Sequence, residues 1–190
     1  MKRSFDSRVD YSLLLPVFCL LVIGVVAIYI AVSHDYPNNV LPILGQQIAW
    51  ISLGLVIGFV VMFFNTEFLW KVTPYLYGLG LALMVLPLVF YNPNLVASTG
   101  AKNWVSIGGT TLFQPSEFMK ISYILMLARV IVQFTQKHKE WRRTIPLDFL
   151  LIGWMIAFTI PVLLLLALQS DLGTALVFVA IFAGMVLLSG

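Results

Sequence analysis

The sequence predicts an all-α integral membrane protein, a polytopic bundle of six transmembrane helices. Three observations lead there. Only 10% of the 190 residues are charged and 61% are hydrophobic, against roughly 25% charged in soluble domains. The mean hydropathy is +0.99. The apolar residues also gather in runs near the ~20 residues a helix needs to cross the hydrocarbon core. A soluble enzyme, a disordered tail and a disulfide scaffold are excluded together, because too few charges remain to face water.

The first span runs from Tyr11 to Ser33, 23 residues without a charge. That is longer than the ~7–15 apolar residues of a signal peptide, so it reads as an uncleaved helix. Its single Cys19 rules out an intramolecular disulfide and reads as a small buried hydrophobe. The second span covers about Ile43 to Phe64, with a Gly54-x-x-x-Gly58 pair suited to a close helix contact. The third covers about Val72 to Tyr91 and the fifth about Phe149 to Leu168; Pro87 and Pro161 mark kinks in them. The fourth, Pro115 to Phe134, carries Glu117, Lys120 and Arg129 inside its limits. The sixth, Leu172 to Leu188, follows the fifth after a very short link. The six together read as one transmembrane domain over residues 1–190.

Lysine and arginine in the connections orient the chain. Lys2, Arg3, Arg8, Lys71, Lys137, Lys139, Arg142 and Arg143 fall on one side, and Lys102 alone on the other. Eight against one predicts a cytoplasmic N-terminus, a basic cytoplasmic loop at 135–147 and a long extracellular loop at 92–114. The net charge of +3 therefore follows topology, and no nucleic-acid partner is expected. Trp50, Trp70, Trp141 and Trp154 read as interface anchors. Arg129 reads as snorkelling to the cytoplasmic headgroups, Asp148 as a charge at the start of its helix, and the basic loop as a contact for membrane lipid.

The long loop mixes glycines, hydroxyls and apolar anchors. Gly100, Gly108 and Gly109 permit tight turns, while Trp104, Val105 and Ile107 suit the interface; taken alone, the segment reads as a re-entrant turn packed on the bundle. It leads into Gln114, Pro115, Ser116 and Glu117, a helix start with proline at the first position and an acid at the positive end of the dipole. Lys120 lies three residues on, on the same face. A lysine inside a span costs ~2.5–3.5 kcal/mol at mid-membrane, so a partner is expected. Asp171, in the link between spans five and six, lies at similar depth. An ion pair of Lys120 with Asp171, supported by Glu117, is the expectation, either structural or lining a substrate cavity. No metal-ligand cluster, Walker loop, GxSxG or HExxH occurs. No cofactor is evident, although a divalent cation is compatible with the chemistry.

Two segments together resemble the SEDS family (shape, elongation, division and sporulation proteins). The first is Gly100-Ala101-Lys102-Asn103-Trp104-Val105 followed by Phe113-Gln114-Pro115-Ser116-Glu117-Phe118-Met119-Lys120. The second is Gln169-Ser170-Asp171-Leu172-Gly173-Thr174. The segment Asp10 to Val17 looks more like the elongation branch than the division branch. The chain departs from the family pattern at Asn103, where arginine is common before the tryptophan, and at Ser170, where proline is common before the aspartate.

The resemblance implies a peptidoglycan glycosyltransferase of the bacterial plasma membrane, polymerising lipid II on the outer leaflet for elongation and cell shape. It implies a class B penicillin-binding protein and other elongation-machinery proteins as partners. It also implies about ten spans in the full fold, with the aspartate regarded as catalytic in an outer loop beyond residue 190. The chain is thus expected to be an N-terminal portion, inactive alone, with no catalytic base of its own. Lys120, Asp171 and Glu117 are expected to position or shape the cavity, with Gln114, Pro115, Ser116, Trp104, Gln169 and Gly173 as motif support. A flippase of the same lipid precursor and a non-enzymatic scaffold for cell-wall synthases are the competing functions.

Overall fold

A computed structural model describes residues 11–108, 110–138 and 145–189. Lys2, Arg3, Arg8, Gly109, Lys139, Trp141, Arg142 and Arg143, which entered the topology and loop readings, lie outside the described residues. Among the described residues six helices are long and apolar enough to cross a membrane, as the sequence predicts, so this is a multi-pass membrane protein. The expected transmembrane domain contains two compact units, one ending at Asn65 and one starting at Thr66.

The first unit is a helical hairpin. α1 (Tyr11–Asp35) and α2 (Val40–Val61) are joined by a 3-10 turn at Pro37–Asn39, closed by hydrogen bonds from Tyr36 N to Val32 O and from Asn39 N to Tyr36 O. Both helices are apolar on every side, and no residue of their central windows is buried. Such helices are stable only where lipid, not water, covers them. Two expectations change here. Cys19 is exposed on α1 rather than buried. Gly54 and Gly58 meet no close neighbour, since a Cβ at either would find nothing within 4 Å.

The second unit holds α3 (Thr66–Val89), α4 (Pro93–Thr99), a hairpin of β1 (Val105–Ile107) and β2 (Thr110–Phe113), α5 (Pro115–Lys137), α6 (Ile145–Leu168) and α7 (Leu172–Ser189). α5 lies at its centre. Met119, Ser122, Tyr123, Met126, Leu127 and Val130 recur at three- and four-residue steps and are all buried, which is the stripe a helix presents to a core. Against it pack Tyr77 and Met84 of α3, Leu151, Met155, Val162 and Leu166 of α6, and Phe178 of α7. The tightest approach is at Gly80 of α3, where a Cβ would stand 2.5 Å from Met119 Sδ and 3.0 Å from Ser122 Oγ.

The buried hydroxyls of Tyr77, Tyr123 and Thr159 bond within the unit, as a membrane interior requires. Tyr77 Oη donates to Phe158 O at 2.6 Å, in the turn before Pro161. Tyr123 and Thr159 join their hydroxyls at 2.7 Å, and Thr159 Oγ1 also donates to Met155 O. Arg129, read as snorkelling, is half-buried near the end of α5. It donates to Trp70 O, and its guanidinium lies 5.1 Å from the Trp70 ring centroid, a cation–π contact.

The segment read as a re-entrant turn is built structure. Asn92 caps α4 by accepting Asn94 N at 3.0 Å, Pro93 takes the first helical position, and Gly100 ends the helix in the left-handed conformation. β1 and β2 pair antiparallel, with Val105 opposite Phe113 and Ile107 opposite Thr110, around a turn where Gly108 has φ +61°.

Replacing Gly80 by alanine is expected to lower stability by ~1–3 kcal/mol through overpacking, read as a drop in the melting temperature of the detergent-solubilised protein. Gly78→Ala, where a Cβ meets nothing within 4 Å, is the control and is expected to leave the melting temperature unchanged.

Candidate functional site

The site begins where α6 ends. Asp171 N donates to Leu166 O and Ser170 N to Ala167 O, each at 3.0 Å, with Ser170 at φ +59°. This pair of bonds around a left-handed residue is a Schellman cap. It also gives the departure at Ser170 a physical meaning. Proline, held near φ −65° and lacking an N–H, cannot make this turn.

Asp171 then caps the next helix. Its Oδ1 accepts Thr174 N at 3.0 Å and its Oδ2 accepts Thr174 Oγ1 at 2.7 Å, the bonding of an N-cap aspartate. Asp171 is only 7% exposed, yet among the described residues its carboxylate meets no cation. Oδ2 accepts from Asn103 Nδ2 at 2.7 Å and from Gln114 Nε2 at 3.4 Å. Burial pushes the Asp171 pKa up, but the bonds from Thr174, Asn103 and Gln114 outweigh it and hold the group below the ordinary carboxylate value. The positive end of α7 favours the same charged state.

The neighbouring backbone completes the joint. Gln169, 1% exposed, donates from Nε2 to Met84 O at 2.5 Å, tying the end of α6 to α3. Its own carbonyl accepts Lys102 N at 2.8 Å. Ser106 N donates to Phe90 O at 2.9 Å, and Lys102 Nζ lies 4.6 Å from the Tyr91 ring centroid. The loop is therefore sewn to α3 and to the α6–α7 link.

The expected pairing of Lys120 with Asp171 is not what forms. Lys120 Nζ binds Glu117 at 2.8 Å, three residues back on α5. The two are separate: Asp171 is enclosed by neutral donors from the loop, whereas Lys120 lies at the edge of the buried α5 stripe with its side chain 26% exposed. α5 does start as read, with Pro115 at its first position and Glu117 in its first turn. Gln114 makes no capping bond with its side chain, since that side chain turns to Asp171. Ser116 is 1% exposed, and its hydroxyl has no partner. Trp104 is 37% exposed. Gly173 leaves ordinary room, its nearest Cβ contact being Asp171 Oδ1 at 3.8 Å. Among the described residues, no three His, Cys, Asp or Glu side chains gather as metal ligands.

Asn103 and Thr174 are the residues that sequence reasoning undervalued. Thr174 was legible, because Asp-x-x-Thr is N-cap spacing. Asn103 stands out in the sequence only as a departure from the family pattern, and it makes the shorter of the two loop bonds to Asp171.

Asp171→Asn is expected to cost ~1–3 kcal/mol, since one acceptor oxygen becomes an amide NH2 donor facing the donors of Thr174, Asn103 and Gln114. Because the native pKa is lowered, the contribution of Asp171 is complete above the ordinary value of 3.8. It is lost as pH falls below that value. Melting curves from neutral pH down to pH ~3 are expected to show this acid-dependent loss in the unmodified protein and not in the variant. At the adjacent position, Ser170→Gly is expected to raise stability by about 1 kcal/mol by relieving the left-handed conformation, and Ser170→Pro to lower the melting temperature.

Residues 11–190 match the family model described as cell cycle protein, FtsW/RodA/SpoVE. The peptidoglycan glycosyltransferase RodA of Treponema pallidum is 30% identical over 184 residues, covering 97% of this chain and 39% of the relative. The peptidoglycan glycosyltransferase MrdB of Escherichia coli K12 is 30% identical over 177 residues, covering 92% and 43%. A probable peptidoglycan glycosyltransferase FtsW of Nitrosomonas europaea is 27% identical over 197 residues, covering 99% and 47%. The chain thus spans less than half the length of these curated relatives. Among solved structures, a chain from a peptidoglycan synthase complex aligns with a TM-score of 0.56 and 32% identity, covering 84% of this chain and 44% of that one.

Proposed function

The chain belongs to the FtsW/RodA/SpoVE family of cell cycle proteins, and from that membership we propose that it serves a peptidoglycan glycosyltransferase that polymerises lipid II. The observation that carries this reading is the match itself. It runs through both polar motifs, and the relatives it reaches are named peptidoglycan glycosyltransferases. The elongation branch is favoured by the segment from Asp10 to Val17 and by the 30% identity to RodA and MrdB. The excess of basic residues on one side supports a cytoplasmic N-terminus and, with it, an outer-face position for the Asp171 joint; the membrane proposed is the plasma membrane. A class B penicillin-binding protein is the proposed partner, a reading supported by the likeness to a chain of a peptidoglycan synthase complex.

In this reading the two charged groups have different work. Asp171 is a positioning residue, holding loop, α5 and α7 in register without touching substrate. Lys120 is the group left partly open, and its ammonium is suited to offset the diphosphate of a lipid-linked sugar. Glu117 steers Lys120. No residue here is assigned as the base that deprotonates the acceptor hydroxyl.

The test is polymerisation of purified lipid II by the full-length protein reconstituted with its partner. Glycan chains are expected from the unmodified protein. Lys120→Met is expected to lower the rate ~10–100-fold, the loss of a hydrogen bond to a charged group, with little change in melting temperature. Asp171→Ala is expected to lower both. Lipid II crossing a vesicle bilayer without polymerising would replace this reading with a flippase, and full activity in Lys120→Met would remove the lysine from the substrate site.

A further inference from the structure

At the end of the second unit away from Asp171, the facing sides of α5 and α6 leave a groove of about 330 Å³. Most of its length is apolar, walled by Met126, Val130 and Phe134 of α5 and by Leu150, Trp154 and Phe158 of α6. Its polar groups, Gln133, Lys137 and His138, come from the last turns of α5. His138 is held there by its Nδ1, 2.9 Å from Phe134 O, and by its ring, 4.3 Å from that of Phe134. Trp154, read from sequence as an interface anchor, is part of the wall.

Length and charge point to one kind of occupant. The apolar wall on α5 runs from Met126 to Phe134, eight residues or ~12 Å at ~1.5 Å each. That is most of one leaflet's ~15 Å share of the hydrocarbon core. A groove apolar over most of a leaflet and cationic at its end matches a phospholipid, with an acyl chain along the wall and the phosphate at the cation. Among the described residues no acidic side chain lines it, and Lys137 stands at its polar end.

We propose that this groove is a binding site for an acidic glycerophospholipid, with one acyl chain along the Met126–Phe158 wall and the phosphate at Lys137. The site is separate from the Asp171 joint and depends on no enzymatic activity, only on the membrane-spanning fold.

Native mass spectrometry of the protein from micelles holding equal phosphatidylglycerol and phosphatidylcholine tests it. Phosphatidylglycerol is expected to be retained about fivefold more, the effect of one cation near an anionic headgroup. Lys137→Gln is expected to bring the two lipids to parity. Leu150→Trp, at a 52% exposed position, fills the groove and is expected to reduce retention of both. Lys71→Gln, an exposed cation outside the groove, is expected to change neither. Equal retention of the two lipids by the unmodified protein overturns the proposal. So does a preference that Lys71→Gln erodes as far as Lys137→Gln, since that is surface charge and not a site.

Discussion

A carboxylate buried without a cation needs neutral donors arranged around it, and the second unit is organised by that requirement. Asp171 receives Thr174 from α7, Asn103 from the loop and Gln114 from the threshold of α5. Each donor comes from a different segment, so satisfying one charge brings three chain segments together. Removing a single donor leaves part of the desolvation cost unmet. The backbone is recruited as well, because the residue that starts α7 also closes the cap of α6. Gln169 extends the joint to α3 through Met84.

The rest of the unit follows the same rule in milder form. Lipid is as apolar as leucine, so burying side chains between helices gains less than it does in water, and packing and internal hydrogen bonds carry more of the specificity. Close approach at Gly80 and the hydroxyl bonds of Tyr77, Tyr123 and Thr159 are the devices used. Arg129 shows the rule applied to a cation, which takes a backbone carbonyl and an indole face as its partners. In the first unit the described glycines Gly24, Gly45, Gly54 and Gly58 stand open, with nothing within 4 Å of a Cβ at any of them.

Much of this was legible in advance. The spans could be drawn because bilayer thickness and backbone hydrogen bonding leave only long apolar helices as solutions. α5 could be started at Pro115 because proline at the first position and an acid in the first turn are local signals. The partner of Lys120 could not be chosen the same way. Depth in the membrane follows from position along a span, but direction around the helix axis depends on which face the neighbours occupy. Lys120 and Asp171 share a depth and face different surroundings, so the lysine takes the nearer Glu117. Asn103 was undervalued for the same reason, since a loop side chain has no periodicity to reveal where it points.

Composition and hydropathy by themselves determined the membrane class, the six spans and the two polar motifs, because each depends on residues near one another along the chain. The family pattern in those motifs was legible for the same reason. Only the tertiary structure decided that the long loop is a capped helix and a hairpin, that the charged groups part company, and that α5 is the centre of its unit. Those outcomes depend on which donors reach a buried acceptor in space, and a buried charge is satisfied by whatever the folded chain brings within hydrogen-bond distance.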